Sequence, residues 1–132
     1  MTQKNIDVMS IIVDNMSKGD KLSVALQKVY SKRNVCIPYC EDDFDVLVTS
    51  IGLSSRATRA LMRTKLTTLG DVIKYCNEHK ITDIVNLGKN SGIEIFEAIL
   101  DYCWEHMSKD DRVSFLIDTV ERNSNNIREE IA

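Results

Sequence analysis

From Ile6 to Val120 the apolar residues recur at steps of three and four, and no stretch alternates apolar with polar residues as a half-buried strand does. That periodicity confines the polypeptide to helices packed on helices. Ile6, Met9, Val13 and Met16 line one face of a first helix, which Ser17-Lys18-Gly19-Asp20 breaks. Asp20 is placed to cap a second helix with apolar positions Leu22, Ala25, Leu26 and Val29, ending near Lys32-Arg33. Together they make a helical hairpin. Pro38, the only proline, lacks a backbone donor and disfavours helix at Ile37, so Asn34 to Tyr39 reads as an extended linker.

Beyond the linker, Glu41-Asp42-Asp43 suits the positive end of a short helix through Phe44, Val46 and Leu47. Ser54 or Ser55 caps the next, which carries Ala57, Ala60, Leu61 and Met62 and ends before Leu66. Thr67-Thr68-Leu69-Gly70-Asp71 opens another, with Val72, Ile73, Tyr75 and Cys76 facing inward, up to a polar break at Asn77 to Lys80. A short helix over Ile81 to Val85 leads through Asn86-Leu87-Gly88-Lys89 into a long one, with Ile93, Phe96, Ile99, Leu100 and Cys103 at helical spacing as far as about His106. Ser108-Lys109-Asp110-Asp111 caps a last amphipathic helix through Val113, Leu116, Ile117 and Val120. Arg122 to Asn126 is a break of poor helix formers, and Ile127 to Ala132 is a frayed tail or a short helix. The expected fold is all-α, a compact helical bundle with N- and C-terminal helical extensions.

With 132 residues, 43% of them hydrophobic, the protein buries one modest core. Its apolar runs are far shorter than the roughly 20 residues that cross a bilayer, and Met-Thr-Gln-Lys begins no signal peptide, so the expected location is the cytoplasm. There the scattered Cys36, Cys40, Cys76 and Cys103 are expected as free thiols, and their spacing is not that of a structural zinc site. His79 and His106 sit among polar residues without a nucleophile partner, and no phosphate-binding loop or metalloprotease motif occurs. No enzyme, metal or cofactor is expected. The net charge of -3 weighs against a nucleic-acid binder, but its distribution is uneven. Between Arg56 and Ser91 the bases Arg56, Arg59, Arg63, Lys65, Lys74, Lys80 and Lys89 face only Asp71, Glu78 and Asp83.

Two helix-turn-helix-like units follow one another, Phe44 to Met62 entered through Ile51-Gly52-Leu53-Ser54, and Ile81 to Leu100 turned by Leu87-Gly88-Lys89. In the second, a glycine ahead of a helix lets backbone amides approach a phosphate where the helix dipole adds positive charge. Leu53-Ser54-Ser55-Arg56-Ala57, Ala60-Leu61, Leu69-Gly70-Asp71-Val72, Asn86-Leu87-Gly88-Lys89-Asn90-Ser91 and Glu94-Ile95 occur in this order and spacing. In these residues, from about Glu41 to His106, the sequence resembles the C-terminal domain of the bacterial RNA polymerase alpha subunit.

The resemblance implies two helix-hairpin-helix-like units in a bundle that grips promoter DNA, with Arg56 as the arginine that enters an A/T-rich minor groove. It assigns Gly88 and Ser91 to backbone contacts, places Lys89 beside them, and matches Glu94 to an acidic residue near the same surface. The sequence departs from the pattern at Arg59, where asparagine is usual, and at Asn90, where a second base is usual. A division into residues 1–40, 41–107 and 108–132 follows, the outer two being a helical hairpin with linker and a C-terminal helix with tail. The large assembly domain of an alpha subunit has no counterpart, so the expectation is a separate accessory protein of bacterial transcription bound to double-stranded DNA. The alternative is an adaptor that mimics the alpha module to engage RNA polymerase or a regulator. Plainer roles stay open too: Gly88 as a turn glycine, Asn90 or Ser91 as a helix cap, Arg56 and Arg59 as solvated residues paired with acids. A dimer formed through the terminal helices also stays open.

Overall fold

A computed structural model describes residues 1–31, 35–38, 45–79 and 88–131, with the side chain of Lys89 outside that description. The fold is all-α: among the described residues, six α-helices and one 3-10 turn, with only two isolated antiparallel bridges, Tyr30 with Ile127 and Leu47 with Thr68. The helices are α1 (Gln3–Ser17), α2 (Leu22–Val29), α3 (Ser55–Arg63), α4 (Leu69–Glu78), α5 (Lys89–Glu105) and α6 (Lys109–Arg122). The protein divides into two compact units, one made of Met1–Pro38 and Trp104–Ala132, the other of Tyr39–Cys103.

In the discontinuous unit α1 packs on α2 and α6. The hydroxyl of Thr2 caps α1, accepting from the Asn5 amide at 3.2 Å. The face α1 buries is Asn5, Val8 and Ile12, whereas Ile6 and Val13 are 43% and 47% exposed. The expected stripe of Ile6, Met9, Val13 and Met16 is therefore not the inward one, because α1 is apolar around much of its circumference and neighbours choose the face. The same applies to α6, which buries Phe115, Leu116, Thr119 and Val120 and leaves Val113 exposed. Its cap is as expected, Ser108 Oγ accepting from the Asp111 amide at 3.2 Å. Asp20 does not cap α2, whose start has no side-chain cap; instead Asp20 pairs with Lys28.

The breaks at the ends of these helices are firmly held. Asn123, 3% exposed, accepts from the Cys36 amide at 2.8 Å through Oδ1 and donates from Nδ2 to the carbonyls of Cys36 at 2.9 Å and Thr119 at 2.7 Å. The described linker residues, 35–38, are thus held in place, with Val35 and Ile37 in the core. Residues 127–131 of the tail are neither frayed nor helical. The Arg128 amide donates to Val29 O at 2.9 Å, its guanidinium donates to Gln27 O at 3.0 and 2.8 Å, and Lys4 Nζ donates to Ile131 O.

In the continuous unit the helix expected through Val46 and Leu47 is absent over its described part. Val46 O accepts from the Leu69 amide at 2.8 Å and the Val48 amide donates to Thr67 O at 3.0 Å, so this backbone pairs across the unit and only Val48–Ser50 forms a 3-10 turn. Gly52 at φ 78° then takes the left-handed turn into Ser54. Thr68 and Asp71 form a reciprocal capping box at the start of α4, which continues through Asn77 and Glu78, residues expected in the break. Val48, Leu61, Leu69, Val72, Ile95 and Leu100 are fully buried. Phe44 and the short helix expected over Ile81 to Val85 lie outside the described residues.

Candidate nucleic-acid interface

Helix α3 is short and carries three arginines and no acid in nine residues. It buries Ala57, Ala60 and Leu61, and the small alanines leave Arg56, Arg59 and Arg63 on its outer side. Ser54 caps it, accepting from the Ala57 amide at 3.2 Å. Glu94, more than one turn into α5, reaches back to the same point, and its carboxylate accepts from the Ser54 amide and from Ser54 Oγ, both at 2.8 Å. A carboxylate at a helix start offsets the dipole and fills donors that the helix leaves open. Glu94 thus ties α3 to α5, a structural duty the sequence does not reveal because its partner lies 40 residues away.

The expected site residues fall at two places that this tie holds together. Gly88 is exposed and precedes α5, its carbonyl accepting from the Gly92 amide at 3.0 Å. Lys89, Asn90 and Ser91 form the first turn, so Asn90 and Ser91 stand inside the helix and neither occupies the cap position. Asn90 is exposed and Ser91 half-buried. No acid lies in that turn, in contrast to the first turns of α4 and α6. A Cβ built on Gly88 would lie 3.7 Å from Arg56 Nη2 and meet nothing closer, so Arg56 and the amides opening α5 share one exposed place. Gly88 has no positive φ and no crowding that would require glycine, unlike Gly52. Arg56, Arg59 and Arg63 make no ion pair among the described residues, where the three pairs involve Lys18, Lys28 and Arg122.

Cys76 and Cys103 are not placed as reactive thiols. Burial pushes the Cys76 thiol up to about 12, far from a reactive thiolate, and Cys103 is fully buried. Among the described residues no cluster of His, Cys, Asp and Glu is arranged to hold a metal, and no helix is long and apolar enough to cross a membrane.

Because Glu94 spends its carboxylate on Ser54, Glu94→Ala is expected to lower unit stability by about 1 kcal/mol, the worth of one charged helix-end interaction. A thermal melt followed by circular dichroism in the absence of DNA checks this. An unchanged midpoint would mean the tie contributes nothing to folding.

Residues 39–101 match the profile of a family described as the C-terminal domain of the alpha subunit of bacterial RNA polymerase. Neither the curated proteins nor the solved structures give a match to this sequence. The matched range nearly coincides with the continuous unit and contains Arg56, Arg59, Gly88 and Glu94. The family is one of non-catalytic domains linked to transcription and DNA binding. The protein therefore contains, at residues 39–101, a domain of the RNA polymerase alpha C-terminal type.

Proposed function

We propose that this protein is a DNA-binding accessory factor of bacterial transcription whose central unit grips phosphate backbone and an A/T-rich minor groove. The observation that carries the reading is the convergence of Arg56, which makes no ion pair among the described residues, with the exposed Gly88 at the acid-free start of α5. Oriented amides at a helix start bind an anionic oxygen, and a glycine there keeps side-chain atoms out of the way. A narrow A/T-rich minor groove concentrates negative potential and attracts an arginine beside it. Arg56 fills that role. Arg59, Lys89, Asn90 and Ser91 supply flanking backbone contacts, and Glu94 holds the two parts in register. Such contacts position a protein without reading base edges, so sequence preference is weak and led by groove shape.

A second reading is a protein-interaction adaptor that binds RNA polymerase or a regulator instead of DNA. It is favoured by charge: residues 39–103 contain ten acidic residues against seven basic ones. One titration separates the two. Fluorescence anisotropy with an A/T-rich duplex at rising salt should show affinity falling with a log-log slope of about -0.9 per neutralised phosphate. Absence of binding at low salt, together with retention by immobilised polymerase, would establish the adaptor instead.

A further inference from the structure

Helix α3 stays basic beyond the expected contact set. Arg63 stands seven residues after Arg56, two helical turns less about 20°, so the two project almost in line about 10 Å apart along the axis. Arg59 lies between them on the same exposed side, and no acid interrupts the row. Just past the helix stands one more cation, Lys65, exposed and in an unusual conformation. The Leu66 amide donates to Leu61 O at 2.9 Å and the Lys65 amide to Met62 O at 3.1 Å, a paired helix ending that puts Lys65 at φ 61°. This is the position where glycine is usual, since a side chain there meets its own backbone. Lys65 is the only non-glycine residue with positive φ among the described residues. Folding alone favours glycine at this place.

We propose that the duplex-binding surface continues past Arg59 to Arg63 and Lys65, and that each of these two cations neutralises a phosphate beyond the minor-groove contact of Arg56. The inference rests on the DNA-binding reading above and extends it to residues outside the family pattern. Phosphates of one strand advance about 3.4 Å along the duplex axis, so side chains about 10 Å apart meet different phosphates. The competing explanation is purely local, because cations near a helix C-terminus also favour its dipole. That explanation moves stability and leaves salt dependence alone.

The test uses the full-length protein, with anisotropy titrations on A/T-rich and G/C-rich duplexes between 50 and 200 mM NaCl. Arg63→Gln and Lys65→Gly are each expected to reduce the magnitude of the salt slope by about 0.9, weakening both duplexes alike because phosphates carry no sequence. Lys65→Gly should at the same time raise the melting midpoint, since glycine adopts this φ without strain, so lost binding in that variant is not lost folding. Unchanged slopes in both variants, with Arg56→Ala still weakening the complex, would overturn the extension and leave the function standing. Absence of duplex binding by the unsubstituted protein at 50 mM NaCl would overturn both.

Discussion

Replacing Arg56 with alanine is expected to weaken binding to an A/T-rich duplex by about 1–3 kcal/mol, roughly five- to 150-fold, and to erase the preference over a G/C-rich one. The first effect removes a charge from the centre of the surface. The second follows from the proposed minor-groove role, and it separates Arg56 from residues proposed to touch only phosphate. Folding is expected to persist, because Arg56 is exposed, makes no ion pair among the described residues, and alanine is the better helix former. Circular dichroism should be unchanged while anisotropy registers the loss. Equal affinity for the two proteins would move the contact surface elsewhere.

Replacing Asn123 with leucine is expected to destabilise the discontinuous unit by about 2–5 kcal/mol. The Cys36 amide and carbonyl would both lose their partner, and each buried polar group left open costs about 1–3 kcal/mol. Thr119 O would still accept from the amide of residue 123, so it adds little. For a unit of this size that loss lowers the midpoint by roughly 8–40 °C. Trp104 is the only tryptophan and belongs to the same unit, so its fluorescence follows the transition selectively. A midpoint within a degree or two of the original would show that the Cys36 segment is not held through this amide.

These two residues also mark what the sequence made legible. Arg56 and Gly88 lie 32 positions apart, and their convergence was readable only because an ordered set of short motifs pointed to a known domain. Local chemistry was readable directly where both partners sit within one turn, as with the Ser54, Thr68 and Ser108 caps. It failed where a side chain serves a distant backbone. Asn123 reads as a helix breaker until Cys36 lies beside it, and Glu94 reads as a surface acid until Ser54 does. Periodicity correctly marked α1 and α6 as helices, yet it misplaced the buried face where apolar residues occur all round, as at Ile6, Val8, Met9, Ile12 and Val13. Val46 and Leu47 fit a helical pattern and still lie extended, because the Thr67 to Leu69 backbone claims their hydrogen-bonding groups. Tyr30 is a residue for which the structure offers no account: its buried hydroxyl has no partner among the described residues, and burial raises it to about 12.

The division into two units bears on how the protein is made. Residues 39–103 form a continuous unit, whereas the other is assembled from segments on either side of it. Synthesis runs from the N-terminus, so the central unit emerges with all its segments before α6 does. The flanking unit must wait, with the side of α1 that packs on α6 uncovered until α6 arrives. Joining its segments then closes a loop through an already folded insert, which costs less conformational entropy than closing the same length of disordered polypeptide. The central unit thus matures first, and the nascent polypeptide bears it as a finished body while its other unit is incomplete.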